Sequence, residues 1–471
     1  MPGLKRVRAP SLESLFVAAF VLLGFRLGVL PISDNSMLTH LRTGLDMVGG
    51  RGIPRADPYS YTAKGTSWVV QSWLPEWTYG WAHRLGGFRL VVLEQAVLMA
   101  CAAWLLARLA RTGSPLRTAL SVGLAVAIAA PFWSPRPLLF GLICMSLTVL
   151  IVERRRTPWL FVPVVWLWAN SHGSFPLGLL WLGARGFGQY LDWKTWPAET
   201  ARYVWGFLAS LAVAAVNPLG AKLLLFPLTA LKKAKAFESI IEWQSPNFHL
   251  QGTRIALVGL AIAVVLLFRA RLTWKDAVPA MVFVVLSLYA QRNLPLLAIV
   301  LAPTFARILR RPDHMAARKP ATPQQLRLNR LVGACLAATF VIFGILGARS
   351  DPINLAVYPN DAVTFLDQQG LLGGAHRLAH QDAVGNYLSF RFGRKVPVFI
   401  DDRVDMYPVS ISQDYVKLLT GNADSLSILD RDKVDVVLWE KDRPLSEELR
   451  LSGAWNLVFT DEHWAVYQRS T

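Results

Sequence analysis

The chain returns repeatedly to apolar runs long enough, or nearly long enough, to cross a lipid bilayer. The hydrocarbon core is about 30 Å thick, so a crossing helix needs roughly 20 apolar residues. Runs of this kind cover residues 11–31, 88–107, 118–133, 137–152, 158–170, 175–189, 203–217, 255–270, 277–290, 294–309 and 329–348. In hydrocarbon each backbone amide must be satisfied internally, and a single apolar run can do that only as a helix. The pattern predicts a polytopic α-helical membrane protein with about 11 transmembrane helices. Composition agrees: 17% of residues are charged, against about 25% in a typical soluble domain.

The net charge of +18 does not point to nucleic acid. The basic residues lie in short clusters between apolar runs, as cytoplasmic loops do. Lys5, Arg6 and Arg8 put the N-terminus in the cytoplasm, and the first run, too long for a signal peptide and without a small-residue cleavage site, reads as a retained anchor. Alternating sides then places five more clusters inside: Arg108/Arg111/Arg117, Arg154/Arg155/Arg156, Arg185/Lys194/Arg202, Arg269/Arg271/Lys275 and Arg307/Arg310/Arg311/Arg318/Lys319. An odd number of crossings leaves the C-terminal tail outside. Lys222, Lys232, Lys233 and Lys235 run against this rule, within the outside segment 218–254. There "LLLFPLTAL" (Leu223 to Leu231) is too short to cross and reads as an interfacial or re-entrant helix. Cys101, Cys144 and Cys335 all fall inside apolar runs, so neither a disulfide framework nor a cysteine metal site is expected. No nucleotide loop, HExxH or internal repeat is present.

This register collects polar segments on the outer side: a long first loop, 33–87, rich in Trp, Tyr, Gly and Pro, and then "WSPRP", "NSHGSF", "NPLG", "FESIIEWQSPNF" and "QRN". Polar residues inside membrane segments mark functional cavities by default, so an outward-facing cavity is expected. The tail, 350–471, changes character. "HRLAHQ" (376–381), "VPVFID" (396–401), "VDVVLWE" (434–440), "WNLVFTD" (455–461) and "HWAVYQR" (463–469) read as strands, while 360–370 and 412–421 read as helices. The division is therefore a membrane domain, 1–349, and a small α/β domain, 350–471, outside the membrane.

Several segments carry a resemblance in their order and spacing: Asp34 just after the first run, "HLRTG" (40–44), "GIPRADPYSYT" (52–62), "QSWLPE" (71–76), "WANSHGSF" (168–175), "NPLG" (217–220), "IEWQSP" (241–246) and "DDRVDMY" (401–407). Together they resemble bacterial GT-C superfamily glycosyltransferases, the broad group with protein mannosyltransferases and aminoarabinose transferases, and most nearly the bacterial relatives with a C-terminal soluble domain. The resemblance spans most of the chain. It implies a transferase in the bacterial cytoplasmic (inner) membrane, with its active site on the outer face and a polyprenyl-phosphate-linked sugar as donor. The acceptor would be a glycan, lipid or protein of the envelope; membrane lipids are further partners, and nucleic acid is not. It also implies an acidic residue after the first crossing at the catalytic centre, the place of Asp34. Close relatives have a second Asp two residues on; this chain has Ser36, which weighs against a metal site. No cofactor is expected.

Asp34 is thus the candidate base that deprotonates an acceptor hydroxyl, or else a helix cap. Glu76 and Glu242 are the other candidate catalytic carboxylates, each followed by a Trp whose ring can stack on a sugar or lie in an interfacial belt. His40 can orient acceptor or donor phosphate, and Asp57 can bind substrate or start a turn with Pro58. Asn170 and His172 can hydrogen-bond a sugar or phosphate, or end a helix broken by Gly173 and Pro176. Arg292, Lys232 and Lys233 can pair with the donor phosphate or with anionic lipid. "DDRVDMY" is either a binding cluster or a salt-bridged turn. The rival to a transferase is a non-enzymatic membrane protein, a lipid-linked glycan transporter or an envelope-assembly scaffold, that keeps the same shell.

Overall fold

The computed structural model describes residues 9–238, 240–270, 272–310 and 321–470. Lys5, Arg6, Arg8, Arg271, Arg311, Arg318 and Lys319 of the orienting clusters lie outside the described residues. The chain forms two compact units, one of Met1–Pro31, Val91–Asn217 and Glu242–Pro352, the other of Ile32–Leu90, Pro218–Ile241 and Ile353–Thr471.

The first unit is helical, and every apolar run of the sequence holds a helix: Leu12–Gly28, the second part of Trp73–Leu109, Pro115–Ala129, Leu138–Glu153, Phe161–Ala169, Pro176–Trp193, Ala198–Ala214, Gln251–Arg269, Trp274–Tyr289, Leu294–Leu309 and Pro323–Arg349. Trp73–Leu109 is interrupted at Gly86 and Gly87; Gly87, at φ +63°, takes a left-handed conformation that a side chain disfavours. Among the described residues five helices are long and apolar enough to cross a membrane: Trp73–Leu109, Pro115–Phe132, Gln251–Arg269, Gln291–Leu309 and Pro323–Arg349. The chain is a multi-pass membrane protein.

Local chemistry starts these helices. Ser11 accepts a hydrogen bond from the Ser14 amide at 3.2 Å, and Thr322 and Gln325 close a reciprocal capping box. Leu294–Leu309 is the inner helix, buried from Leu294 through Ala306. Pro323–Arg349 has no buried residue and exposes Leu331, Val341 and Ile345, a surface suited to lipid rather than water. Gly28 permits close helix contact, since a Cβ there would fall 2.3 Å from Ala96 Cα.

The second unit gathers three separated stretches of chain. Among the described residues its sheet has strands β1 (Leu378–His380), β2 (Val436–Glu440), β3 (Trp455–Thr460) and β4 (Trp464–Arg469), in the order β1-β2-β4-β3. The β1–β2 pair is parallel, and β4 runs antiparallel to both β2 and β3. β2 is central and its Val436 to Trp439 are buried, as expected of an apolar strand covered on both faces. Residues 396–401, expected as a strand, do not join this sheet. Val398 bonds to the first loop instead: its N–H donates to Tyr59 O at 2.9 Å, and its O accepts from Tyr61 N–H at 3.0 Å. The alternating apolar pattern was a true sign of burial, but one bridge residue takes the place of a ladder. The LLLFPLTAL run lies in the helix Ala221–Lys232, with Pro227 inside it.

Candidate functional site

The first loop begins with the helix Ser36–Asp46. Asp34 closes its first turn: Oδ1 accepts from the Ser36 amide at 3.1 Å, and the backbone oxygen accepts from Met37 at 3.2 Å. Ser36 Oγ donates to Asp402 Oδ2 at 2.5 Å. Beside it Thr39 Oγ1 donates to Asn386 Oδ1 at 2.5 Å, and that same oxygen accepts from the Asp402 amide at 3.0 Å. Where the resemblance led to the expectation of a second acid, this chain has a hydroxyl that binds an acid from the tail. Both carboxylates act on one neighbour: burial, then Asp402 and Asp34, push the Tyr358 phenol well above its usual range.

His40 and Glu76 are brought together by a backbone contact. A Cβ on Gly44 would fall 1.9 Å from Glu76 O, and one on Gly80 would fall 2.5 Å from Gly44 C, so only glycine fits at this crossing. His40 Nδ1 then lies 2.8 Å from Glu76 Oε1, which also accepts from Ser72 Oγ at 2.9 Å. Glu76 Oε2 and Asn386 Nδ2 are buried and have no hydrogen-bond partner in the protein. Trp77 is exposed and meets Trp81 edge-on.

Asp57 starts a turn, accepting from the Tyr59 and Ser60 amides at 3.1 Å each. It also anchors the tail: Arg403 Nη1 donates to Asp57 Oδ1 at 2.6 Å, while its Nη2 donates to Asp401 Oδ2 at 2.7 Å. The Arg403 guanidinium lies over the rings of Trp68 and Tyr59, at 4.7 and 4.9 Å from their centroids. Asp46 is a second such anchor, receiving Arg42, Arg51, Arg394 and the Tyr59 hydroxyl. Burial opposes the charge of Asp46, but Arg42 foremost outweighs it and holds the carboxyl below its usual value.

Lys233 donates to the carbonyls of Asp405, Met406 and Tyr407 at 2.7, 3.0 and 3.1 Å, so all three ammonium hydrogens are used. Lys232, Lys222 and Lys235 are exposed. Burial pushes the Asp405 carboxyl up to about 6, against the pull of Lys233 and Arg403.

The remaining candidates belong to the helical unit. Asn170 is buried and its Nδ2 donates to Trp166 O at 2.7 Å, ending the helix Phe161–Ala169. His172 Nδ1 lies 2.8 Å from Ser174 Oγ, and Nε2 lies 3.4 Å from Arg292 Nη2. Arg292 stacks on Trp243 at 4.3 Å, and Glu242 pairs with Arg136 at 2.6 Å. Thus "NSHGSF", "IEWQSP" and "QRN" form one polar group, with Gln291 N–H donating to Gln244 O at 3.0 Å. Among the described residues no three His, Cys, Asp or Glu side chains are grouped to hold a metal ion.

Sequence reasoning flagged DDRVDMY but did not single out Asp402, Asp405 or Tyr358. The doubled acid before an arginine was a sign of Asp402 alone.

No protein-family model matches the chain, and no curated protein matches it. Solved structures do. The archaeal oligosaccharyltransferase AglB from Archaeoglobus fulgidus, in complex with an inhibitory peptide and a dolichol-phosphate, aligns at TM-score 0.53 and 11% identity over 92% of this chain and 70% of its own. ArnT from Cupriavidus metallidurans in the apo state aligns at TM-score 0.50 and 13% identity over 96% of this chain and 97% of its own. Over most of its length this chain has the fold of these two proteins.

Proposed function

We propose that the protein is a glycosyltransferase that moves a sugar from a polyprenyl-phosphate donor to an envelope acceptor on the outer face of the bacterial cytoplasmic membrane. The observation that carries this reading is the junction of Asp34, Ser36 and Asp402, which gathers two carboxylates at the start of the first loop. The fold supports it, since one structural neighbour is complexed with dolichol-phosphate. In this reading about 11 helices cross the membrane, the N-terminus is cytoplasmic, and 350–471 lies outside.

Asp34 takes the proton of the acceptor hydroxyl as its oxygen attacks the anomeric carbon and the donor phosphate leaves. Phosphate is a good leaving group, so the protein's task is to position the reactants and exclude water. Ser36 and Asn386 orient Asp402 beside Asp34. The His40–Glu76 pair, with its unpartnered Oε2, binds hydroxyls of sugar or acceptor. Asp57 and Lys233 hold the surrounding backbone. In the helical unit Asn170, His172, Glu242 and Arg292 offer a polar group for a sugar or phosphate; in the second unit exposed Lys232 offers a cation.

The test deletes the gene, profiles the envelope glycans, and complements with wild type and with Asp34→Asn. A lost glycan restored by wild type and not by an Asp34→Asn protein of normal abundance is the expected result. An unchanged glycan profile in the deletion strain would remove the transferase reading. Full rescue by Asp34→Asn would remove Asp34 from the chemistry.

A further inference from the structure

One cavity among the described residues of the helical unit contains none of the residues assigned above to sugar transfer. It has a volume of about 580 Å3 and opens among the helix ends that carry Leu109, Glu153, Trp193 and Arg310. Eight arginines and lysines line it, against two glutamates. The carboxylates are already engaged: Glu153 takes Arg185 at 2.7 Å and Arg307 at 2.8 Å, and Glu199 lies 3.8 Å from Arg155. Arg307 also pairs with Asp276 at 2.5 Å, a lock between two helices.

Two of the cations are held in an unusual way. Arg185 is 8% exposed, and its Nε is buried without a hydrogen-bond acceptor. The Nε of Arg108 is likewise buried and without an acceptor. Their guanidinium groups lie 5.6 and 5.8 Å from the ring centroids of Trp181 and Trp104, which accept no ordinary hydrogen bond. A buried N–H is normally satisfied, and a wall of excess cations calls for an anion with several acceptor oxygens. Phosphate matches the guanidinium fork better than a carboxylate already shared, and this cavity is far larger than a free phosphate ion. Its wall also contains the apolar Leu109, Leu150 and Pro303, while exposed Trp193 and Trp196 stand at the same helix end. Tryptophan at helix ends marks the headgroup level of a bilayer, where basic pockets between helices take acidic lipid headgroups.

We propose that this cavity is a phosphate-binding site, separate from the sugar-transfer residues, that takes the phosphodiester headgroup of an acidic membrane lipid. Arg108 and Arg185 donate to the phosphate oxygens, and Lys275 and Arg154 supply further charge around the headgroup. The inference does not depend on the transferase reading.

The test uses the purified full-length protein in uncharged detergent, with Tm followed as phosphatidylglycerol, phosphatidylcholine, inorganic phosphate or pyrophosphate is added. Phosphatidylglycerol is expected to raise Tm saturably and phosphatidylcholine not to. Arg108→Gln should weaken the half-saturating concentration of phosphatidylglycerol about tenfold, the loss of one strong charged hydrogen bond. Arg185→Gln should do the same, but it also breaks the pair with Glu153. Arg108→Gln, which breaks no carboxylate pair, therefore decides the matter if Arg185→Gln fails to fold. Arg450→Gln, a surface change of equal charge in the tail, should leave the titration unchanged. Saturation by inorganic phosphate or pyrophosphate alone, lost in Arg108→Gln, would keep the anion site and overturn the lipid source. Equal stabilisation by phosphatidylcholine, or an unaltered titration in Arg108→Gln, would overturn the site.

Discussion

At the scale of single residues, buried His380 and half-buried Asp405 in the second unit give opposite pH signatures. His380 is fully buried between two backbone partners: Nδ1 lies 2.9 Å from Gln381 O, and Nε2 accepts from the Phe399 amide at 3.0 Å. Burial lowers its pKa from 6.5 to about 4. Its contribution to stability is therefore complete above pH 6.5 and is lost as pH falls through about 4. Asp405 is the reverse: raised from 3.8 to about 6, it contributes below pH 3.8 and the contribution is lost as pH rises through about 6. Each effect is on the order of 3 kcal/mol. Between pH 4 and 6 they oppose one another, so single variants should separate them. In thermal melts across this window, His380→Gln should become more stable as pH falls, and Asp405→Asn less stable. Parallel curves for the two variants would contradict the assignment. A second residue-scale prediction concerns Asp402. If its carboxylate acts with Asp34, Asp402→Asn should lower the transfer rate about 100-fold with little change in Tm. Asp34 was a candidate through the resemblance, which implies an acid after the first apolar run. Asp402 was not, because it lies 366 residues from the Ser36 hydroxyl that orients it.

At the scale of elements, the helices were legible and their contacts were not. Apolar length names a membrane helix without reference to anything else in the chain. Gly44 shows what that reading misses. The residue lies in "HLRTG", a motif noted for its histidine, yet its missing side chain is what lets Ser36–Asp46 cross the helix that begins at Trp73. Gly44→Ala places a methyl group against a backbone carbonyl that has no side chain to move aside. It should cost about 2 kcal/mol or more and separate His40 from Glu76. Tm and the His40 imidazole resonances would report the two effects; an unchanged imidazole environment would argue against the crossing. The 396–401 segment makes the same point for strands. Its pattern announced burial correctly, but pattern does not say which backbone will lie alongside, and here it was Tyr59 to Tyr61 rather than another tail strand.

At the scale of the whole molecule, the second unit unites the first loop, the 218–241 segment and the tail. Its buried charges are shared among these pieces: Asp57 of the loop with Arg403, Asp46 with Arg394, and Lys233 with the carbonyls of 405–407. Removing one partner of a buried ion pair costs about 3–5 kcal/mol. A chain ending at Pro352 should therefore lose the structure of its first loop, seen as rapid proteolysis at Arg51 and Arg55. Protection equal to that of the full chain would show that the loop folds alone.

The sequence by itself determined a multi-pass helical membrane protein with a tail that contains a small sheet. Both follow from properties summed over neighbouring residues, the cost of placing side chains in lipid and the two-residue period of a half-buried strand. Only the tertiary structure decided which acid stands beside Asp34 and which arginine neutralises Asp57. The partner of a buried polar group is chosen by how distant segments close upon one another, and no window along the chain carries that information.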